Sequence, residues 1–217
     1  MKMADTKKVL IINAHLTYPN WTEGTLNNAF FHSAKEFFTS KSYEVMETTI
    51  EDGYKPEEEE QKHLAADIVI LQMPVNWFGA PWIYKKYADE VFNSGLFSKS
   101  FLTGDGRTKD DPTKQYGTGR LLQGKKFMIS ATWNAPAEAF DNPTQHLMQG
   151  KSTADLFLNI TSNYRFCGFE IIDSYNCFDI FRRNDIAKDL ENYPRHLDKI
   201  FDLQTFSSKV HLQENLN

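Results

Sequence analysis

Three separated stretches of this 217-residue chain carry side chains able to hold a planar, anionic ligand. The first is Thr22-Glu23-Gly24-Thr25-Leu26-Asn27-Asn28, just ahead of an apolar run at helical spacing. Unpaired N–H groups and the dipole of a helix start favour an anion there, hydroxyls at Thr22 and Thr25 add donors, and Gly24 lets a phosphate approach the backbone. The second is Gln72-Met73-Pro74-Val75-Asn76-Trp77-Phe78-Gly79-Ala80-Pro81-Trp82, where a continuous apolar run gives way to prolines, a glycine and adjacent aromatics. The third, Thr132-Trp133-Asn134-Ala135, closes another apolar run, and His15 follows the first. Each has a plainer reading. Thr22 or Thr25 serves equally as an ordinary helix cap, His15 as a structural hydrogen bonder, and Trp77 with Phe78 as core filling under a loop.

The elements that must position these groups are legible as alternating periodicities. Strands are expected at 8–14, 43–48, 68–71, 126–132 and 169–175, with Pro74 too far along the third to extend its ladder. Helices are expected at 26–38, 56–66, 81–92, 154–164 and 186–201, the second opening on a solvated acidic run, Glu57-Glu58-Glu59-Glu60. Five strands alternating with five helices predict a doubly wound α/β/α sandwich around a parallel sheet. The flavodoxin-like strand order 2-1-3-4-5 brings the ends of strands 1, 3 and 4 to one switch point, where all three stretches converge. The interval 95–124 lacks periodicity and holds Gly104, Gly106, Gly117, Gly119 and Gly124 with Arg107, Lys109, Lys114 and Arg120. A loop that long is either disordered or functional, and beside an anion site it reads as a lid or cofactor-binding arm.

Composition removes several function classes. A net charge of −5 and a pI near 5.7 argue against nucleic acid or an anionic membrane as partner. Cys167 and Cys177 match no zinc or redox spacing and read as isolated thiols in a reducing compartment; with no secretory or membrane-spanning run, a cytoplasmic protein is expected. No linker divides the chain, so one domain spans 1–217, with its core at 8–202 and a tail at 203–217. Phosphate-loop, dinucleotide and hydrolase motifs are missing, and no metal pair of the H-E-x-x-H kind occurs. The carboxylate a receiver domain needs after the third strand is replaced by Met73-Pro74. Aromatic residues exceed what a core of this size requires, with seventeen Phe, nine Tyr and four Trp. A flavin nucleotide fits these observations, its phosphate on the helix start and its ring against Trp77, Phe78 and Trp133.

At this point a family resemblance is carried by Gln72-Met73-Pro74, Trp77-Phe78-Gly79-Ala80-Pro81-Trp82, Lys85-Lys86-Tyr87, Asp105-Gly106-Arg107-Thr108, Lys114-Gln115-Tyr116-Gly117, Gln123-Gly124-Lys125-Lys126 and Thr132-Trp133-Asn134-Ala135-Pro136. The chain resembles the NAD(P)H quinone reductases of the modulator of drug activity B type and, more widely, the flavodoxin-like FAD quinone oxidoreductases. The resemblance implies tightly bound FAD, a homodimer, and two-electron reduction of a quinone by NADPH or NADH in a ping-pong sequence. It assigns Thr22, Glu23, Gly24, Thr25, Leu26, Asn27 and Asn28 to the phosphate-binding turn, and Pro74, Val75, Asn76, Trp77 and Phe78 with Thr132, Trp133, Asn134 and Ala135 to the segments around the isoalloxazine. Tyr116 matches a tyrosine used against FAD, and His15 a histidine of the wider relatives. Val75-Asn76 stands where Gly-Trp is common, and 146–185 is less similar. No catalytic residue is assigned; Tyr164, Tyr175 and His146 are the candidate proton donors to the reduced quinone. Two other readings of the same fold are an electron carrier or azo- or nitroreductase-type flavoprotein, and a cofactor-free binding module.

Overall fold

Continuous apolar runs become the middle of the sheet. In the computed structural model, which describes residues 6–201, β1 (Lys8–Asn13), β3 (Ile68–Pro74) and β4 (Lys126–Thr132) are buried almost throughout, as strands covered on both faces must be. The edge strand β2 (Glu44–Thr49) is more exposed. With β5 (Glu170–Ile171), all strand pairings are parallel and the order is β2-β1-β3-β4-β5, the flavodoxin-like order expected. The expected tail at 203–217 and the last residue of the expected core lie outside the described residues.

Helices cover both faces. α1 (Thr25–Ser40) and α6 (Ile186–Ile200) pack Phe30, Phe37, Phe38, Tyr193 and Leu197 against one side of the sheet. On the other side, α2 (Pro56–Ala65), α3 (Trp82–Phe97), a one-turn α4 (Thr153–Leu156) and α5 (Leu158–Cys167) close over a larger cluster that includes Tyr84, Tyr87, Phe127, Phe157 and Tyr164. Each such ring, fully buried, contributes roughly 1.5–3 kcal/mol of transfer free energy. Among the described residues no helix is long and apolar enough to cross a membrane.

Four expectations need correction. The fifth strand is two short ones, β5 (Glu170–Ile171) and β6 (Tyr175–Cys177), each paired with β4 and separated at the polar Asp173-Ser174 step. The helix expected at 154–164 breaks at Phe157, whose fully buried ring sits 5.2 Å from that of Trp133. β3 runs through Pro74, which pairs in register with Thr132 while Val75 N–H donates to the Thr132 carbonyl at 2.9 Å. Alternate N–H groups of a central parallel strand face opposite neighbours, so the donor Pro74 lacks would point past the end of β1, and no ladder bond is lost. Half of the acidic run is also interior. Glu59 accepts from Thr48 and Tyr87 hydroxyls at 2.7 Å, and Glu60 from Ser98 and Ser100 at 2.7 Å, tying α2 to β2 and α3.

The interval after α3 is an ordered arm. Its two limbs are joined by the Leu102↔Arg120 bridge, by Thr103 N–H to Gly119 O at 2.7 Å and by Gly117 N–H to Asp105 O at 2.8 Å, and anchored by the buried Phe101, Leu102 and Leu122. A Cβ at Gly119 would lie 2.1 Å from the Gly104 carbonyl oxygen, so the limbs approach this closely only with glycine there.

Candidate functional site

The carboxyl ends of β1, β3 and β4 open into a cavity of about 530 Å³ lined by Tyr18, Trp21, Thr22, Pro74 to Phe78, Thr132 to Ala135, and the apolar Leu147, Ile180 and Phe181. This is the crevice position that doubly wound sheets use for ligands.

One wall is a turn held by buried amides. Gln72 Nε2 donates to Asn27 Oδ1 at 3.0 Å, Asn27 Nδ2 to Asn13 Oδ1 at 2.8 Å, and Asn13 Nδ2 to Asn28 Oδ1 at 2.8 Å, so β3, β1 and the first turn of α1 share one network. Asn27 is therefore scaffold, and the Leu26 side chain packs into the apolar layer beneath α1; neither side chain faces the cavity. Gly24, left-handed at φ 72°, is the N-cap of α1, and no side chain caps the helix, so neither Thr22 nor Thr25 fills the ordinary capping role. Thr22 Oγ1 instead accepts from Gly24 N–H at 3.3 Å. The His15 ring lies 2.6 Å from where a Gly24 Cβ would stand, a close approach only glycine permits. His15 Nε2 is 3.5 Å from Thr22 Oγ1 and Nδ1 is 3.9 Å from Glu51 Oε2. Burial draws its pKa below the ordinary histidine value, with Glu51 opposing. Behind the same turn lies a second cavity of about 300 Å³, lined in part by Asn13, His15, Glu23, Asn28, Glu51 and Asp52.

The facing wall is an aromatic hairpin. Asn76 N–H donates to Gly79 O at 2.8 Å and Gly79 N–H returns to Asn76 O at 3.2 Å, while Trp77 (φ 49°) and Phe78 (φ 67°) are both left-handed. Two central residues at positive φ define the mirror-image turn that normally takes Asn-Gly. Aromatic residues held there cost of order 1–3 kcal/mol each. Trp77 is 88% and Phe78 46% exposed, so the core-filling alternative does not hold.

Trp133 departs from expectation. It is 2% exposed, its Nε1 donates to Asn176 Oδ1 at 2.8 Å, and its ring packs against Phe140 and Phe157 at 4.9 and 5.2 Å. The indole is core, and what this segment offers a ligand is the edge formed by Thr132, Asn134 and Ala135. Tyr116 does not line the cavity of its own chain. It stands 68% exposed on the arm, with its ring 5.0 Å from Phe166 and 5.3 Å from the Arg107 guanidinium. Arg107 in turn is held by Asp105, its Nε 3.0 Å from Oδ2. The three candidate proton donors are also elsewhere. Tyr164 is fully buried, Tyr175 donates to the Asp189 carbonyl at 2.7 Å, and His146 is not among the lining residues. Burial lifts both cysteine thiols to about 12, which leaves them unreactive. No group of three metal-ligating side chains occurs among the described residues.

Sequence reading missed Tyr18 and Trp21, although Tyr18-Pro19-Asn20-Trp21 between a strand end and the glycine turn is itself an aromatic turn signal. Leu147, Ile180 and Phe181 carried no local signal, because only tertiary packing brings them to the mouth.

A parallel sheet of this order, with a glycine turn and an aromatic hairpin at its carboxyl edge, is a flavodoxin-like architecture, and the profile of the flavodoxin-like fold family matches residues 7–200. The chain belongs to the flavodoxin-like NAD(P)H quinone oxidoreductases, being 39% identical over 83% of its length to 92% of the NADPH:quinone oxidoreductase MdaB of Haemophilus influenzae. Among solved structures it is similar to a putative quinone reductase from Klebsiella pneumoniae, with a TM-score of 0.70 and 22% identity over 89% of this chain and 84% of that one. General stress protein 14 of Treponema denticola, solved in complex with FMN, superposes with a TM-score of 0.63 at 18% identity, over 88% of this chain and 98% of that one.

Proposed function

We propose that this chain is an FAD-dependent NAD(P)H:quinone oxidoreductase that reduces quinones by two electrons in a ping-pong sequence. The observation that carries the proposal is the pair of walls at one sheet edge: an α1 start that no side chain caps, its Gly24 packed on the His15 ring, opposite an exposed aromatic hairpin. The residues present fit a flavin nucleotide. Thr22 and the first backbone N–H groups of α1 would hold its phosphate, and Trp77, Phe78 and the 132–135 edge would hold its ring system. FAD rather than FMN is supported by the second cavity behind the turn, where Glu23, Glu51 and Asp52 offer acceptors for ribose hydroxyls and an exocyclic amine. When bound, the cofactor would accept hydride from NAD(P)H and return it to the acceptor; the protein orients both substrates and excludes water.

A homodimer is part of this proposal, supported by Trp82, Phe97 and Tyr116, which are large and exposed. Cytoplasmic location is also part of it. The arm borders an open pocket of about 560 Å³ with Lys114 on its lining, a cation able to meet the 2′-phosphate of NADPH. Equal efficiency with NADH and NADPH at low concentration would reject that last role.

Purification, flavin release and mass identification test the cofactor. Anaerobic reduction by NADPH followed by menadione tests the activity. FAD that bleaches without a long-lived intermediate colour and is reoxidised by the quinone is the expected result. A carrier or azoreductase-type flavoprotein is the second reading, favoured by the FMN-bound Treponema neighbour; FMN with a persistent one-electron-reduced spectrum would select it.

A further inference from the structure

Reducing a quinone to a hydroquinone consumes a hydride and a proton, and the hydride donor leaves the proton unaccounted for. Among the described residues, the cavity at the sheet edge is lined by one titratable side chain, Tyr18. The other hydroxyls on the lining, Thr22 and Thr132, are aliphatic alcohols, far weaker acids than a phenol, and are not suited to giving up a proton. Asn76 Nδ2 donates to the Tyr18 hydroxyl oxygen at 3.4 Å. With its oxygen accepting that bond, the Tyr18 O–H is left to donate into the cavity, and the amide remains in place to stabilise the phenolate once the proton has gone. The ring is fixed by Trp21, centroid to centroid 5.3 Å, and its backbone by reciprocal bonds with Thr22 at 3.1 and 3.0 Å.

We propose that Tyr18 is the catalytic acid that protonates the acceptor oxygen, and that Asn76 is the residue positioning it. The proposal rests on the quinone reductase reading of the same cavity. As hydride reaches the quinone, the Tyr18 O–H bond breaks and the second O–H bond of the hydroquinone forms. The phenolate is held by Asn76 and takes its proton back from water at the open mouth, beside the exposed Trp77.

Separating the half-reactions by stopped flow tests the proposal. Tyr18→Phe should keep its cofactor and be reduced by NADPH at the wild-type rate. Its reoxidation by menadione should slow on the order of 100-fold, while reoxidation by ferricyanide, which takes an electron and no proton, stays unchanged. Asn76→Leu should slow the menadione step roughly 10-fold, the loss of one hydrogen bond to a developing charge. Independently of turnover, the Cζ resonance of Tyr18 in the oxidised, cofactor-loaded protein, labelled with ¹³C-tyrosine, should shift on adding menadione. Wild-type menadione reoxidation in Tyr18→Phe, equal slowing with both oxidants, or an unmoved resonance would each overturn the assignment. Wild-type protein that NADPH cannot reduce would instead overturn the reductase reading, and the proposal with it.

Discussion

Two turns face each other across one cavity, and they are built in opposite ways. The turn before α1 is anchored from behind: Gln72, Asn27, Asn13 and Asn28 form a buried amide chain, and a glycine supplies the positive φ. The hairpin at Asn76–Gly79 is closed by two backbone bonds, and places Trp77 and Phe78 at positive φ with their rings exposed. The first spends its side chains on rigidity and leaves backbone N–H groups for the ligand. The second tolerates backbone strain to present side chains. Stability and binding should therefore respond in parallel at one turn and in opposition at the other.

The largest effect belongs to Gly24→Ala. A Cβ there meets the His15 ring at 2.6 Å and must sit at φ 72°, so the turn has to move. Cofactor retention in purified protein should be lost, with destabilisation of about 2 kcal/mol or more by urea unfolding. Retention of stoichiometric flavin would break the comparison at its rigid end. Next is Asn27→Leu, which leaves Gln72 Nε2 without its acceptor in the interior, while Asn13 Oδ1 keeps only the His15 N–H; about 1–3 kcal/mol of stability and flavin affinity should fall together. At the other turn, Phe78→Gly removes a residue from strained backbone. The cofactor-free protein should gain up to about 1 kcal/mol while flavin binds more weakly, and a variant that loses both would show that the ring supports the fold.

The smallest effect is set by pH. His15 has a lowered folded-state pKa, so the unfolded chain takes up a proton first, and the stability of the neutral form is complete above the ordinary histidine pKa and is lost as pH falls below it. Amide exchange of residues 22–28 should accelerate between pH 7 and about 5 relative to 76–79, where no histidine packs. The comparison must be local. His63, buried between α2 and its neighbours with its pKa drawn down to about 4 by desolvation, removes about 3 kcal/mol from the whole fold as pH falls from about 6.5 to 4. Uniform acceleration in both turns would show His63 and not His15 at work.

Residues 8–140 were far more legible than those that follow. β1, β3 and β4 carry unbroken apolar runs that only a doubly covered strand requires, and β4 begins and ends where its run does. β5, β6 and the α4–α5 break lie where polar and apolar residues mix, and pairing with β4 decides what is strand. The same limit applied to the site. Gly24 and the 74–78 segment announced themselves by residue type, but Trp133 looked like a ligand platform until Phe140, Phe157 and Phe178 were packed around it.

The amino-acid sequence by itself determined the parallel sheet, its strand order and the glycine and aromatic turns at its carboxyl edge, because periodicity, proline and glycine act through the local backbone. Which aromatic ring is core and which is exposed, that Tyr18 meets Asn76, and that Leu147 and Phe181 reach the mouth were decided only by tertiary structure. Each depends on residues distant in sequence competing for the same space and the same hydrogen bonds.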